Sequence, residues 1–174
     1  GAQEGLSVVI VNPGIILGPG YWESGSGLLF KTVAKGMRYY FPGGTGFIAV
    51  GDVIKIMVQL MDSPIKNERF IAIAENLSYK GVLETISLGF NRPSPKIGLK
   101  FWQLEVFWRL DWAINLFIPK KRKLTKQQLT SLRYPQLYDN LKVQQALNIE
   151  YEQIKSCVSF SCQKYIETHS SSFS

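Results

Sequence analysis

The sequence contains very few of the residues that build metal sites and nucleophile sites. It has two cysteines, Cys157 and Cys162, and one histidine, His169, in 174 residues. Two cysteines and one late histidine do not make a convincing set of zinc ligands. The spacing of the cysteines on an expected helix gives poor disulfide geometry, which predicts two reduced packing residues in a cytoplasmic protein. The position of His169 near the C-terminus argues against a Ser-His-Asp triad.

A phosphate-binding loop and an uninterrupted membrane span are also missing. The loop Gly18–Gly27 (GPGYWESGSG) contains glycines, but they do not follow the GxGxxG spacing. The most hydrophobic window, Phe101–Ile118, has spanning length, but three charged residues interrupt it. We therefore expect a helix packed against protein. Because this window is rich in Trp and Phe and precedes Lys120–Lys123, a non-catalytic interaction or peripheral membrane-binding module stays open as an alternative function.

The charge pattern does not favour a nucleic-acid partner. The formal net charge is +7, from 20 basic and 13 acidic residues, but the basic residues are scattered apart from Lys120–Lys123. A run of four is typical of a solvated loop. The polar start, Gly1–Gly5, and the short apolar run after it give no signal-peptide pattern. With 45% hydrophobic residues, the chain has the composition of an ordinary globular protein.

The first apolar run marks a candidate site. Residues 6–11 form a continuous, β-branched run that Asn12-Pro13-Gly14 ends. Such a run is typical of a parallel strand buried on both faces. Ligands of open α/β sheets bind outside the carboxyl ends of strands, so residues 12–20 are the first place to look for a site. An ordinary core strand with a Gly/Pro loop explains the same pattern.

Hydrophobic periodicity predicts an α/β chain. Asp52 is expected to cap the second helix and Ser78 the third. The predicted strands cover residues 6–11, 37–41, 46–50 and 69–74, and the predicted helices cover residues 28–35, 53–61, 78–90, 101–118, 124–132, 138–147 and 151–167.

Three motifs, in order along the chain, resemble one protein family. They are VIVNPGIILGPG (Val9–Gly20), FIAVGDV (Phe47–Val53), and YDNLK (Tyr138–Lys142) followed by Ala146–Asn148. They are similar to segments of extended short-chain dehydrogenases/reductases, the NAD-dependent epimerase/dehydratase family. The stretches PGGTGFIAVGDV and ENLSYKGVLETI resemble its dihydroflavonol-reductase-like branch.

This resemblance implies the C-terminal part of a Rossmann-type fold. One or two late strands would be joined by a small mixed α/β substrate-binding subdomain, and together they would occupy residues 1–174. The family's glycine-rich dinucleotide loop and catalytic Tyr-x-x-x-Lys pair are expected upstream of this chain. No residue of the chain is therefore predicted to be catalytic, no metal is expected, and the fragment should be inactive alone.

The resemblance also implies two sets of binding residues. The residues expected beside the nicotinamide of NAD or NADP are Pro13, Gly14, Ile15 and Ile16. The residues expected to form the substrate wall are Tyr21, Trp22, Leu28 and Phe41. Ile15 stands where sugar-nucleotide enzymes of the family usually have an Asn, and Thr45 stands where many of them have an Arg. Both differences favour a small-molecule substrate that is an uncharged, apolar carbonyl compound. If strand 6–11 keeps an unpaired edge, the chain should self-associate as a homo-oligomer or by non-native pairing.

Overall fold

The computed structural model describes residues 7–100, 102, 103, 106, 109 and 134–169. In this part of the chain the strands are β1 (Val9–Pro13), β2 (Ile15–Leu17), β3 (Tyr39–Tyr40), β4 (Gly44–Ala49), β5 (Glu68–Ala72), β6 (Glu75–Ser78) and β7 (Ile97–Gly98). The helices are α1 (Gly27–Ala34), α2 (Val50–Met61), α3 (Tyr79–Gly89), α4 (Leu141–Leu147) and α5 (Ile154–Thr168). The helix predicted at 124–132 and most of the one at 101–118 lie outside the described residues.

β1 and β5 form a parallel pair, with Val9 opposite Glu68 and Pro13 opposite Ala72. One face of the pair packs against α2 and α4 in a core of fully or nearly buried side chains. This core contains Ile48, Val53, Ile56, Leu60, Phe70, Ala72 and Val143. A parallel pair joined through a helix is the unit that Rossmann-type sheets repeat.

The second sheet is mixed and has the order β2-β4-β6. β2 runs parallel to β4, and β6 runs antiparallel to it. Helices α1, α3 and α5 pack with this sheet around Leu17, Phe30, Phe47, Ile86 and Val158, which are fully buried. The predicted α/β class, with late parallel strands and a small mixed subdomain, is confirmed.

The chain changes sheets at Gly14. The Gly14 amide donates to the carbonyl oxygen of Ala72 in the first sheet at 3.0 Å, and the next residue, Ile15, pairs with Phe47 in the second. A side chain at position 14 would overlap the Gly46 carbonyl oxygen, and its Cβ would lie 2.9 Å from Ile73 Cγ2. Two glycines therefore let the two sheets approach closely at this point.

Three sequence predictions were wrong in detail. β1 is not buried on both faces, because Ile10 is 40% exposed and only alternate side chains meet the α2 core. Ala49, not Asp52, is the N-cap of α2, and Asp52 lies in the first turn with no exposed surface. The strand predicted at 37–41 is only two residues long, Tyr39–Tyr40, because its partner β7 also has two residues.

Ser78 behaves as predicted. Its Oγ accepts a hydrogen bond from the Gly81 amide at 3.0 Å and caps α3. This cap links β6 directly to α3 and fixes the helix against the second sheet.

Candidate functional site

A cleft of about 510 Å³ opens where β1 and β5 end and the second sheet begins. Its walls are Asn12, Pro13, Gly14, Ile15, Thr45, Ile71, Ile73 and Tyr138. These residues come from the carboxyl ends of two parallel strands, from β4 and from the segment before α4. This is the position at which open α/β sheets bind ligands.

None of the residues lining the cleft is charged at neutral pH. The backbone turn Pro13–Ile15 supplies one wall, and Ile71 and Ile73 supply apolar surface. The Thr45 hydroxyl and the Tyr138 phenol are polar groups able to hold one polar atom of a ligand. The cleft is therefore suited to a flat, largely uncharged group with a single carbonyl or hydroxyl.

A pair of reciprocal hydrogen bonds positions Tyr138. The Tyr138 amide donates to Asn76 Oδ1 at 3.0 Å, and Asn76 Nδ2 donates to the Tyr138 carbonyl oxygen at 2.9 Å. Asn140 Nδ2 donates to the Ile73 carbonyl oxygen at 2.9 Å. These bonds fasten the segment before α4 across the end of the first sheet, and they explain why Tyr138 reaches the cleft.

The phenol of Tyr138 has its own partner. It donates to Gln136 Oε1 at 2.6 Å. Burial raises the pKa of Tyr79 above its usual value, and the nearby Tyr138 phenol adds to this rise. The phenol of Tyr79 therefore lies near that of Tyr138.

Tyr138 and Lys142 have the Tyr-x-x-x-Lys spacing, whereas the catalytic pair that the resemblance implies is expected upstream of this chain. The geometry separates the two groups. Lys142 Nζ donates to Glu68 Oε2 at 2.6 Å and to the Arg69 carbonyl oxygen at 3.0 Å, at the start of β5. Tyr138 lines the cleft with Ile71 and Ile73, at the other end of that strand.

The predicted nicotinamide-binding residues divide into two groups. Pro13, Gly14 and Ile15 line the cleft together. Ile16 instead packs, partly buried, against the core under β1 and β5. The glycine at position 14 is explained by its contact with Gly46, which requires no ligand. Its role beside a flat ring stays a prediction.

The predicted substrate-wall residues lie away from this cleft. Tyr21 and Leu28 are exposed, and Phe41 is partly buried directly after β3. Trp22 is buried, with edge-to-face contacts to Phe30 and Tyr165 at 5.8 and 5.0 Å between ring centroids. Core packing accounts for this tryptophan, and the substrate role of the four residues stays a prediction.

Sequence reasoning did not assign Tyr138, Ile71 or Ile73 to the site. Tyr138 belongs to the YDNLK motif, which was recognised only as a family marker. Its pairing with Asn76, 62 residues earlier, leaves no local signal. A prediction that the YDNLK motif packs across the end of a strand would have assigned Tyr138 to the site.

The buried carboxylate of Asp52 has a structural partner. Asp52 Oδ2 accepts a hydrogen bond from the Glu152 amide at 2.8 Å, and Lys55 Nζ donates to Oδ1 at 3.1 Å. Glu75 Oε1 similarly accepts from the Ile154 amide at 2.8 Å. Together the two carboxylates hold the start of α5, and neither faces the cleft.

The two cysteines are buried and free. Burial raises the pKa of Cys157 to about 11 and that of Cys162 to about 12, so neither is a thiolate at neutral pH. Within the described ranges, no three His, Cys, Asp or Glu side chains cluster in a way that could hold a metal. The helices described there include none long and apolar enough to cross a membrane.

Comparisons with known proteins agree with the resemblance. No protein-family model matches the chain. The chain is 31% identical over 102 residues to sterol demethylase protein B of Methylococcus capsulatus, a match that covers 56% of this chain and 30% of that protein. It is 29% identical over 85 residues to tetraketide alpha-pyrone reductase 2 of Arabidopsis thaliana, covering 47% of this chain and 26% of that protein.

Solved structures share the fold over nearly the whole chain. A nucleoside-diphosphate-sugar epimerase from Pseudomonas aeruginosa aligns with a TM-score of 0.77 and 17% identity, covering 97% of this chain and 51% of that one. A UDP-glucuronic acid 4-epimerase from Bacillus cereus, in complex with UDP-glucuronic acid and NAD, aligns with a TM-score of 0.66 and 13% identity, covering 95% and 47%. The chain thus spans about half the length of these structures, and the resemblance to extended short-chain dehydrogenases/reductases is confirmed.

Proposed function

We propose that this chain is the C-terminal, substrate-binding half of an NAD- or NADP-dependent reductase or epimerase that acts on a carbonyl or alcohol. The relatives support an oxidoreductase or epimerase family. The single observation that carries the finer proposal is the uncharged cleft at the carboxyl ends of β1 and β5. It lies on the Pro13–Ile15 turn that the family motif marks.

The cleft fits a nicotinamide ring. The ring is flat, and the Pro13–Ile15 segment that joins β1 to β2 lines the cleft together with Ile73. A bound nicotinamide would supply hydride transfer. The residues of this chain would bind and orient the ring and the substrate. The Pro13–Ile15 segment would contact one face of the ring, while Thr45 and Tyr138 would bind a polar atom of the substrate.

The lining of the cleft also bears on the substrate class. A diphosphate needs cations or backbone amides, and the eight lining residues provide no charged side chain. Thr45 stands where many sugar-nucleotide enzymes of the resembled family have an Arg. We infer that the substrate is an uncharged, apolar carbonyl compound, as the similarity to a pyrone reductase also suggests.

The proposal assigns no proton transfer to this chain. Lys142 is held at Glu68 and cannot assist the Tyr138 phenol. The reacting acid and base would then come from the upstream half, and the 174 residues alone should neither oxidise NADPH nor bind it tightly.

Kinetics on the full-length gene product test this function. NADPH oxidation should proceed with an uncharged aryl ketone such as benzylacetone and not with UDP-glucose. Thr45→Arg should lower kcat/KM for the ketone about tenfold, because it buries a charge beside an apolar ligand. Thr32→Arg, on the exposed side of α1, is the matched control and should leave kcat/KM unchanged. Turnover by the 174-residue chain alone, or conversion of UDP-glucose, would refute the proposal.

A further inference from the structure

A second cavity, of about 510 Å³, lies where the C-terminal ends of α1, α3 and α5 meet. Its lining includes the buried residues Ala34 and Tyr165. Five lining residues carry acidic or basic side chains, and they are Glu23, Lys31, Lys35, Arg92 and His169. None of the residues lining this cavity also lines the cleft at the ends of β1 and β5. We call it the α1–α3–α5 cavity, and the proposed function makes no use of it.

The chain around this cavity is strongly basic. Residues 24–51 and 85–100, which contain the ends of α1 and α3, include six lysines and arginines and no acidic residue. Two of these residues extend the basic surface beyond the cavity. Arg38 and Lys96 lie on neighbouring segments, because the Ile97 amide donates to the Arg38 carbonyl oxygen at 3.2 Å. An excess of one charge sign around a concave surface raises the local concentration of ligands of the opposite sign.

The helix ends account for only part of this excess. The C-terminal end of a helix carries about half a negative charge, so one nearby cation is enough to balance it. The ends also have backbone partners, since the Gly36 amide donates to the Val33 carbonyl oxygen and the Arg92 amide donates to the Ser87 carbonyl oxygen, each at 2.9 Å. The basic side chains in and beside the cavity therefore exceed what three helix ends and Glu23 require.

The Glu23 carboxylate indicates a positive potential in the cavity. Lys31 Nζ donates to its two oxygens, at 2.6 and 2.5 Å. The hydrogen bond and the charge of Lys31 lower the pKa of Glu23 below its usual value, and the charges of Lys35 and His169 add to this lowering. Lys35 and His169 thus lie within electrostatic reach of the same anionic group. Glu23 engages Lys31, whereas Lys35 and the five-donor guanidinium of Arg92 can bind a further anion.

The imidazole of His169 is fixed in place at the cavity wall. Its ring stacks on that of Tyr165, with 4.2 Å between the ring centroids and 13° between the planes, and its Nδ1 lies 3.1 Å from the Tyr165 carbonyl oxygen. Tyr165 itself has edge-to-face contacts with Trp22 and Phe90. A ring positioned in this way loses little conformational freedom when a ligand binds.

We propose that the α1–α3–α5 cavity is a phosphate-binding site, separate from the cleft, that takes a phosphomonoester group. A carboxylate has two oxygens and one negative charge, whereas a phosphomonoester has three acceptor oxygens and a charge of about −2. Lys35, Arg92 and His169 follow three different helices and supply several donors with two full positive charges, which match the phosphate better. The group belongs either to a soluble compound or to a lipid headgroup. The site does not rest on the proposed function.

Titration of the 174-residue chain with inorganic phosphate at fixed ionic strength, followed by two-dimensional amide NMR, tests the proposal. The amide signals of Gly36 and His169 should shift and saturate, whereas that of Gly46, beside the cleft, should not move. The double variant Lys35→Gln/Arg92→Gln should weaken binding about tenfold or more, because two charge-assisted hydrogen bonds are lost.

Two further variants separate a built site from general charge attraction. Lys66→Gln/Lys155→Gln removes the same charge elsewhere, with Lys155 about 20 Å from His169 along α5, and should bind phosphate as the wild type does. Glu23→Gln releases Lys31 and removes a repelling carboxylate, so it should tighten binding about fivefold. All the substituted positions are exposed, so circular dichroism should show the wild-type fold for each variant.

Sedimentation with vesicles identifies the source of the phosphate group. Phosphatidylcholine vesicles that contain phosphatidic acid present a phosphomonoester, whereas those that contain phosphatidylserine present a phosphodiester and a carboxylate. Binding to the first kind alone, lost in Lys35→Gln/Arg92→Gln, supports the site with a lipid headgroup as its ligand. Phosphate binding without vesicle binding supports it with a soluble ligand. The absence of saturable shifts at Gly36, equal weakening by the two double variants, or equal binding of acetate overturns the proposal.

Discussion

At the scale of single residues, the glycine at position 14 connects packing with the candidate site. The sequence pattern suggested that it keeps backbone open for a ligand. The structure shows that its missing side chain admits Gly46 and Ile73 from the neighbouring strands. A cleft wall built on such a contact is rigid, because neither glycine can move without separating the two sheets.

Gly14→Ala should destabilise the chain by about 1–3 kcal/mol, since the added methyl group overpacks a closed contact. Urea unfolding followed by far-UV circular dichroism measures this loss. Gly51→Ala, in the first turn of α2, is the control. A Cβ there meets no atom within 4 Å, so its stability should be equal to or slightly above that of the wild type. Equal stability of Gly14→Ala and the wild type would contradict the close approach of β2 and β4.

Tyr151 presents the opposite case, a buried polar atom. Its hydroxyl is buried, and none of the residues that the structure describes forms a hydrogen bond with it. Burial, and then the charge of Asp52, raise the pKa of Tyr151 to about 12. The folded state therefore favours the neutral phenol more than the unfolded state does. This contribution to stability is complete below the unfolded pKa of about 10 and is lost as the pH rises toward 12.

Tyr151→Phe should raise the free energy of unfolding at pH 8 by about 1–2 kcal/mol, because it removes an unsatisfied buried hydroxyl. It should also lose less stability than the wild type as the pH rises through this window. Chemical denaturation at a series of pH values measures both effects. Tyr21→Phe, at an exposed position, should change neither. A destabilised Tyr151→Phe would mean that the hydroxyl does have a partner.

At the scale of helices and strands, the sequence correctly predicted the features that a local pattern of residues determines. The first strand was recognised from its apolar run, but it extends through Pro13, and β2 (Ile15–Leu17) was not predicted because Pro and Gly usually end a strand. Ser78 was recognised as a cap from its position before a periodic apolar segment. β6 was missed because Glu75–Ser78 (ENLS) has neither alternation nor β-branched residues, and only pairing with β4 makes it a strand. The place of Tyr138 in the cleft was also not predicted, because it depends on a contact with Asn76, which is distant in sequence.

The start of α5 shows how such distant contacts replace local signals. Helix α5 has no side-chain cap of its own, since its N-cap is Gln153. Asp52 from α2 and Glu75 from β6 accept the Glu152 and Ile154 amides instead. Two elements that are distant in sequence thereby fix the last helix on the second sheet.

Removing these carboxylates should loosen α5 selectively. Glu75→Ala should cost about 1 kcal/mol of stability, because the Ile154 amide loses its acceptor. Glu75→Gln keeps an oxygen in the same place and should recover most of the loss. Hydrogen exchange of the Ile154 amide provides the decisive readout, and it should accelerate in Glu75→Ala but not in Glu75→Gln. Equal exchange in both variants would mean that the hydrogen bond does not hold the helix.

At the scale of the whole molecule, the two sheets are unequally supported. The second sheet has three strands and packs with α1, α3 and α5 around a large buried cluster. Within the part of the chain that the structure describes, the first has two strands, a core on one face, and exposed Ile10 and Ile71 on the other. The continuous apolar run of β1 correctly indicated a parallel strand. The run could not show whether that strand is covered on one face or on both, because a continuous apolar sequence is compatible with either arrangement.

This inequality predicts that the chain unfolds in two steps. Two-stranded sheets are marginally stable in water, and local opening begins where few apolar contacts protect backbone hydrogen bonds. Amides of Asn12 and Ala72, which face each other's strand in the β1–β5 pair, should therefore exchange with solvent well before those of Phe47 and Val158 in native-state hydrogen exchange. Uniform exchange across both sheets would show that the two-stranded pair is already fully supported in this chain.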